Sequence, residues 1–294
     1  MRVLLSVDGS QASDRAASLV ANLAWPVGST IDVLTAHPGS HAGSRNPGMM
    51  LPTDLARERE NAVEVAAQGI ADDAARRFTG PDLTVETRVV RDRASKAILD
   101  EAARFEVDLL VLGNRGYGAI ESAVLGSTCL EVIDESHRPV LIARSDRMAR
   151  ILVGEDGSKS AAAAVDLLRR SPVFHGGSVR VLSVDDDKAR WSPWLRGAVP
   201  QESDSAGAVQ AHAAREALAK ATASTLRGAG MQVEALVQDG GAAHKLVEAA
   251  AAWDADLIVI GSRGQSGLER LLVGSVARAV LYHASCSVLI VPEP

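Results

Sequence analysis

The sequence repeats itself with a fixed spacing of 148 residues. The stretch GNRGYGAIESAVLGS, at Gly113–Ser127, returns as GSRGQSGLERLLVGS, at Gly261–Ser275, with the same pattern of three glycines and a final serine. The same spacing separates three further pairs of markers: Asp8 and Asp156, Asp108 and Asp256, and Val140 and Val288. Because distant markers keep one spacing without a gap, the sequence predicts one domain that occurs twice.

Each copy is long enough to fold around its own core. A repeat of 148 residues far exceeds the ~20–50 residues of a solenoid unit, and a domain of this size normally buries a separate core. The apolar fraction of 47% is sufficient for two such cores. The polar segment 145–149 precedes the first apolar run of the second copy, and we therefore predict domains at residues 1–146 and 147–294.

Charge, hydropathy and cysteine usage narrow the classes of function. A net charge of −6 gives no positive footprint for DNA or RNA, so nucleic acid is not an expected partner. No segment approaches the ~20 apolar residues of a membrane span, and the first apolar run stops at Asp8, which is too short for a signal peptide. Cys129 and Cys286 lack a C-x-x-C spacing. These features favour a soluble, cytoplasmic protein with no membrane partner.

Short apolar runs alternate with longer alanine-rich segments in both copies. Continuous Val, Ile and Leu runs are typical of strands covered on both faces. This order predicts an α/β fold, with five parallel strands and helices on both faces in each domain. The predicted strands are Val3–Val7, Ile31–Thr35, Val85–Val90, Asp108–Gly113 and Val140–Ala143, then Ile151–Val153, Ser178–Val184, Gln232–Val237, Leu257–Ile260 and Val288–Val291. Predicted helices of the first copy are Leu55–Phe78, Ser95–Phe105 and Ser127–Ser136.

The repeated glycine motif predicts a phosphate site. In an open parallel sheet, ligands bind beyond the carboxyl ends of the strands, where the strand order reverses. Gly261 and Gly264 follow the fourth predicted strand of the second copy and allow a close backbone approach. Gly274 and Ser275 then begin a helix whose free N–H groups favour an anion. The alternative is that the glycines only permit a tight strand–loop–helix crossing, since a duplication copies structural glycines too.

Other chemical motifs are missing from the sequence. It contains no G-x-x-x-x-G-K-[ST] segment, which excludes a P-loop, and no G-x-S-x-G nucleophile elbow. The seven histidines are scattered along the sequence, and we expect no metal site within the protein. The segment GNRGYG resembles a dinucleotide fingerprint only loosely, because it follows the fourth predicted strand rather than the first. No catalytic residue is predicted.

The two glycine motifs resemble those of a known family. The pattern G-x2-G-x9-G-S after the fourth strand, with an Asp-Gly-Ser turn after the first, is similar to the nucleotide-binding members of the universal stress protein family, here in tandem form. The resemblance covers nearly the whole chain. It implies a parallel sheet of order 3-2-1-4-5 in each domain, which places the first and fourth strands side by side.

The resemblance also implies an ATP site in each copy, with magnesium or manganese carried by the phosphates. Asp8 and Asp156 would lie near adenine or ribose, and Ala36 and Val184, at the end of the second strand, near adenine. Arg115 and Arg263 would lie within the loops, where they could neutralise phosphate charge. Ribose and phosphates would contact Gly113, Gly116, Gly126 and Ser127, and Gly261, Gly264, Gly274 and Ser275. The candidate contacts of the second copy also include Gly154 and Val276.

The two copies differ in charge around these motifs. Arg270 and Arg278 flank the second motif, whereas the first has Ser122 and Leu130 at these positions. The helix after the first motif instead carries three acids, Glu131, Asp134 and Glu135. We therefore expect the second site to bind ATP at least as tightly as the first.

The leading functional hypothesis is an ATP-binding stress-response protein that senses or signals. One alternative is a slow ATPase or phosphotransferase. Another is a nucleotide-free scaffold that pairs through the last strands, VLIA and VLIV, either as a homo-oligomer or between its own domains. The segment Asp185–Val209, with Trp191 and Trp194, is either a lid or partner contact beside the adenine end, or a local apolar plug.

Overall fold

The chain divides into two compact units, Met1–Asp146 and Arg147–Pro294. The computed structural model describes residues 1–38, 53–80, 82–116, 125–185, 204–264 and 273–293. The segment around Trp191 and Trp194 lies outside the described residues, as do Ser122 and Arg270. Among the helices in the described ranges, none combines the length and apolarity that crossing a membrane requires.

The first unit is an open sheet of five parallel strands in the order β3-β2-β1-β4-β5. The predicted α/β class and the implied strand order are therefore confirmed. Its strands are β1 (Arg2–Ser6), β2 (Ser29–Ala36), β3 (Leu83–Val90), β4 (Leu109–Gly113) and β5 (Val140–Ala143). Its helices are α1 (Gln11–Ala21), α2 (Thr53–Ala75), α3 (Ala94–Arg104) and α4 (Ser127–Glu135).

The second unit repeats this topology, with the parallel strand order β8-β7-β6-β9-β10. Its strands are β6 (Arg150–Gly154), β7 (Ser178–Asp185), β8 (Gln232–Asp239), β9 (Leu257–Gly261) and β10 (Ser287–Val291). Its helices are α5 (Lys159–Arg170), α6 (Asp204–Gly228), α7 (Ala242–Ala252) and α8 (Ser275–His283), with a short 3₁₀ helix at Pro172–Phe174.

Helices cover both faces of each sheet. Right-handed crossovers place α1 and α2 on one face and α3 and α4 on the other. In agreement, α1 packs on β4 and β5, α2 packs on β2 and β3, and α3 packs on β1, β2 and α4. The central strands β4 and β9 are almost entirely buried, which explains their unbroken runs of Leu, Val and Ile. Alanines on the inner helix faces, such as Ala16, Ala17 and Ala164, are fully buried and allow a close approach to the sheet.

A duplicated aspartate ties the start of the fourth strand to the start of the first in each unit. In the second unit, Asp256 is buried, and its Oδ2 accepts hydrogen bonds from the backbone N–H groups of Ala149 at 3.0 Å and Arg150 at 2.9 Å. In the first unit, Oδ2 of Asp108 accepts from the N–H of Arg2 at 2.7 Å. These bonds explain why an aspartate occurs at both positions of the repeat.

Removal of the Asp256 carboxylate should destabilise the second unit. Asp256→Ala leaves the N–H groups of Ala149 and Arg150 without their charged acceptor, and we expect a loss of about 2–4 kcal/mol in the free energy of unfolding. Urea denaturation of the full chain measures the effect. The matched control is Asp166→Ala, which removes a half-exposed partner of Arg169 and should cost less than about 1 kcal/mol. Equal losses for the two variants would contradict this role.

Candidate functional site

In each unit the loops after the first and fourth strands meet at the carboxyl edge of the sheet. The loop after β1 turns at Gly9, with φ at +76°, and the loop after β6 turns at Gly157, with φ at +82°, both in the left-handed region that favours glycine. Ser10 then caps α1, and Ser158 caps α5 by accepting a hydrogen bond from Ala161 N at 3.2 Å. Each turn is therefore fixed by the start of a helix.

Serine hydroxyls hold the two loops together. Ser10 Oγ donates to the carbonyl of Arg115 at 3.3 Å, and Ser158 Oγ donates to the carbonyl of Arg263 at 3.1 Å. In the second unit Ser160 Oγ adds a 2.5 Å bond to the same Arg263 carbonyl and accepts from the Arg263 N–H at 3.2 Å. The predicted meeting of the Asp-Gly-Ser turn and the glycine motif is therefore observed in both units.

The first glycine of each motif is required by packing. A Cβ atom at Gly113 would lie 2.5 Å from the backbone carbon of Ala12. At Gly261 it would lie 2.3 Å from Ser160 Oγ and 2.7 Å from the backbone nitrogen of Ala161. All three distances are shorter than real Cβ contacts, so no side chain fits where the fourth strand approaches the first helix of the unit. For these two positions, packing alone accounts for the glycine.

Among the residues that the structure describes, none makes such a packing demand on the third glycine of each motif. A Cβ at Gly126 would lie 3.6 Å from the nearest described atom, and one at Gly274 would lie 3.4 Å away, both ordinary contact distances. Gly126 is the N-cap of α4 and Gly274 is the N-cap of α8, and neither helix has a side-chain cap bond at this end. The first N–H groups of α4 and α8 are thus not capped by the side chain of the N-cap residue.

An aspartate lies against the second glycine of each motif. The position of a Cβ at Gly116 is 2.9 Å from Asp8 Oδ2, and at Gly264 it is 3.0 Å from Asp156 Oδ2. The other carboxylate oxygen organises the turn, because Asp156 Oδ1 accepts from the N–H of Ser158 at 2.9 Å. Each aspartate therefore presents one oxygen to the glycine loop.

The remaining candidates lie on neighbouring elements. Ala36 ends β2, but Val184 is the penultimate residue of β7, which continues to Asp185 rather than ending at Val184 as predicted. Val276 is the second residue of α8, directly after Ser275. Gly154 ends β6, where a Cβ would lie 2.8 Å from Ile260 Cγ2 and 3.0 Å from Leu246 Cδ2, so packing accounts for this glycine.

The charged side chains differ between the two sites. Arg263 is partly buried, and its Nη1 lies 3.8 Å from Glu293 Oε2. Arg278 lies on α8, whereas Leu130 occupies the same position on α4. Glu131, on α4, accepts hydrogen bonds from Ser95 and Arg93, which lower the pKa of its carboxyl group. The charge of Glu131 is thus compensated, so the acidic character predicted for the first site depends on Asp134 and Glu135.

Two residues of the second site are not predicted from the sequence. Arg215, on α6, donates from Nη1 to the carbonyl of Asp156 at 2.9 Å. The buried Glu155 accepts from the N–H of Gly157 at 2.8 Å and from Thr222 Oγ1 at 2.8 Å. The first copy has Ala67 and Val7 at the positions of Arg215 and Glu155. A comparison of the two copies could therefore have identified both residues, because each is charged in the second copy only.

The family model and the similar proteins described below all indicate the same family. The model of the universal stress protein family matches residues 1–144 and again residues 148–292. The sequence is 28% identical to a universal stress protein of Mycobacterium tuberculosis over 303 residues, covering 98% of this chain and 96% of that protein. It is 28% identical to one from Mycolicibacterium smegmatis over 254 residues, covering 83% of this chain and 81% of that relative.

Solved structures share the fold over the full length. A universal stress protein from Archaeoglobus fulgidus has a TM-score of 0.67 at 17% identity, covering 100% of this chain and 98% of that chain. A putative universal stress protein from Pseudomonas aeruginosa has a TM-score of 0.62 at 17% identity, covering 99% of this chain and 93% of that chain.

A methyl group at the first glycine of either motif should destabilise the protein. Gly113→Ala and Gly261→Ala force the fourth strand away from the first helix of its unit, and we expect a loss of about 1–3 kcal/mol in the free energy of unfolding. Gly126→Ala is the matched control, since its added Cβ has room and should cost less than about 1 kcal/mol. Urea denaturation compares the three variants, and a control as unstable as Gly113→Ala would refute the packing argument.

The thiol of Cys129 should be inert in the folded protein. Burial raises the pKa of Cys129 to about 12, and its Sγ donates to the carbonyl of Gly113 at 3.0 Å. Because the thiolate is the reactive form, we expect labelling at pH 8 to be at least ~100-fold slower than in urea. Peptide mapping by mass spectrometry separates Cys129 from Cys286, which is also buried. Labelling at the rate of the unfolded chain would show that the thiol is accessible.

Proposed function

The chain belongs to the universal stress protein family, and we propose that each of its two units binds ATP where the glycine motif meets the Asp-Gly-Ser turn. The observation that carries this proposal is the open glycine N-cap of α4 and of α8. A structural glycine would be explained by packing, as Gly113 and Gly261 are. No described residue crowds a side chain at Gly126 or Gly274, and we take a ligand as the reason why neither position carries one.

The phosphates would bind at the N-termini of α4 and α8. The first-turn N–H groups of these helices carry partial positive charge and supply several donors in one direction. Ser127 and Ser275, the first residues of the two helices, add a hydroxyl donor. A magnesium or manganese ion would enter with the nucleotide, held by the phosphate oxygens, and would screen their charge.

The nucleoside would lie towards the aspartates and the second strand of each sheet. Asp8 and Asp156 present one carboxylate oxygen to the loop, which suits a ribose hydroxyl and disfavours a phosphate. Ala36 and Val184 lie near the ends of the strands beside β1 and β6, where apolar side chains would contact adenine. This order places adenine, ribose and phosphates along one edge of the sheet.

The proposed role is binding and signalling rather than turnover, as a cytoplasmic stress sensor. Asp156 uses Oδ1 to hold the N–H of Ser158, and its Oδ2 faces Gly264. Within the described part of this edge, one oxygen of the carboxylate holds the turn and the other faces the glycine loop, and we assign it to binding rather than to proton abstraction from water as a general base. Pairing through β5 and β10, either between the two domains or between chains, stays a prediction. The mass of the protein in solution shows whether chains associate.

The second site should bind ATP at least as tightly as the first. Arg278 on α8 has no cationic counterpart on α4, and Arg215 braces the loop at Asp156. Asp134 and Glu135 follow the first motif, whereas Arg278 and His283 follow the second. Positive charge near a triphosphate favours its binding.

Nucleotide content is the first measurement. Denaturation of the purified chain, followed by quantification of released adenine nucleotide, should give up to two ATP per chain, and ADP in place of ATP would favour the slow-ATPase alternative. If no nucleotide is released, and calorimetry with ATP and magnesium detects no binding either, the proposal fails and the scaffold alternative takes its place.

Charge substitutions at the N-cap glycines test the site itself. Gly126→Asp and Gly274→Asp each place a carboxylate where a phosphate would bind, and we expect each to weaken ATP binding at its own site by more than about tenfold. Aspartate is a favourable N-cap, so the helices should remain folded. Gly126→Asn and Gly274→Asn are the matched controls, with the same shape and no charge. Unchanged affinity in the double aspartate variant would exclude this edge as the phosphate site.

A further inference from the structure

A separate group of potential metal ligands lies at the ends of the two outer strands of the second unit. Asp185 ends β7 and Asp239 ends β8, and the parallel register of these strands pairs the two residues directly. His212 lies on α6, the helix that connects these strands. One ligand atom from each of the three side chains lies within 4.8 Å of the others.

One of the three ligand-to-ligand distances is close to that found around a small divalent ion. His212 Nδ1 lies 3.6 Å from Asp239 Oδ1. Two ligands bound to tetrahedral zinc at ~2.0–2.1 Å are about 3.3–3.4 Å apart, so this pair is close to a coordinating arrangement. Asp185 is buried and fixed by its strand, whereas His212 and Asp239 are half-exposed and can adjust by rotation. Solvent therefore reaches the site from one side, which provides an entry path.

Charge also favours a cation at this position. Directly opposed carboxylates on neighbouring strands repel each other, and Asp185 is additionally shielded from water. An imidazole with two carboxylates is a nitrogen and oxygen donor set that zinc accepts. A bound divalent ion would neutralise both acids and join the strands to α6.

The first unit has a cationic residue at the equivalent position of the repeat. The residues 148 positions earlier are His37, Glu64 and Arg91, so an arginine stands where the second unit has Asp239. Arg91 forms an ion pair with Glu60 on α2. One copy of the repeat thus carries a fixed positive charge at this corner, and the other carries a second acid. This difference between the copies points to a cation that the second unit takes from solution.

We propose that Asp185, His212 and Asp239 form a zinc site with three protein ligands and at least one position open to water. The three ligands come from three different elements and are separated by 27 residues each, from 185 to 212 and from 212 to 239. Short-range histidine spacing therefore does not reveal the site, which explains why none is expected from the sequence. Zinc binding here uses none of the residues that we assign to the ATP site.

Zinc titration of the full chain tests the proposal. After treatment with a chelator, the protein should take up one tightly bound Zn²⁺ per chain in competition with a chromophoric chelator. Asp239→Arg, which restores the arginine of the first unit, and His212→Gln should each raise the zinc dissociation constant at least ~10-fold. The control His244→Gln removes an exposed histidine that lies 3.8 Å from Glu248 on α7, and it should bind zinc like the wild type. Circular dichroism checks folding, and ATP affinity should be the same in all variants.

Two further readouts keep the outcome clear. Bound Co²⁺ should show the intense visible bands of a four-coordinate site, and Zn²⁺ should protect His212 of the unaltered protein from diethylpyrocarbonate. Unprotected His212 would overturn the proposal, as would equal zinc affinity in the wild type and Asp239→Arg. A loss in His244→Gln as large as in His212→Gln would show adventitious binding to surface histidines. Binding of Mg²⁺ with no binding of Zn²⁺ would overturn the assignment to zinc.

Discussion

The close approach of two backbones, where β9 ends against the start of α5, is the contact on which the rest of the second unit's edge depends. Only glycine fits at residue 261, because a Cβ atom there would overlap Ser160 and Ala161. At this separation Ser158 reaches the carbonyl of Arg263, and the N–H of Gly274 closes the loop on the carbonyl of Ser262 at 2.7 Å. The proposed phosphate-binding helix is therefore positioned by the contact between the fourth strand and the first helix of the unit, and the first unit repeats the arrangement.

The features that could be predicted from the sequence are those carried by short patterns that occur twice. Unbroken apolar runs located the strands, although β1 runs from Arg2 to Ser6 rather than from Val3 to Val7. Val7 still donates its N–H to the carbonyl of Leu34 at 2.9 Å, so the difference lies at the end of the strand pairing. The role of Gly113 could not be predicted in the same way. A glycine that admits a neighbouring backbone and a glycine that admits a ligand both lack a Cβ atom, and only the surrounding atoms distinguish them.

Residues that reach the edge from α6 were beyond prediction for a different reason. Arg215 and His212 sit in an alanine-rich helix whose sequence gives no sign of which turn meets which loop. That depends on how α6 lies across β7 and β8, and hence on contacts between segments far apart in the chain. The difference between the two copies carries the missing information, since Arg215 and His212 correspond to Ala67 and Glu64 in the first copy.

The packing at Gly154 has a consequence for the history of the gene. Gly154 leaves no space for a side chain between Ile260 and Leu246, whereas the first unit has Ser6 at this position, with Leu112 and Ile98 as the matching neighbours. Unequal crossing-over between the two halves could join β1 of one copy to the remainder of the other. Such a hybrid would set a serine against Ile260 and pack poorly. The residue at position 6 or 154 and its two neighbours would therefore have to be exchanged together, which makes the two halves of the gene less interchangeable.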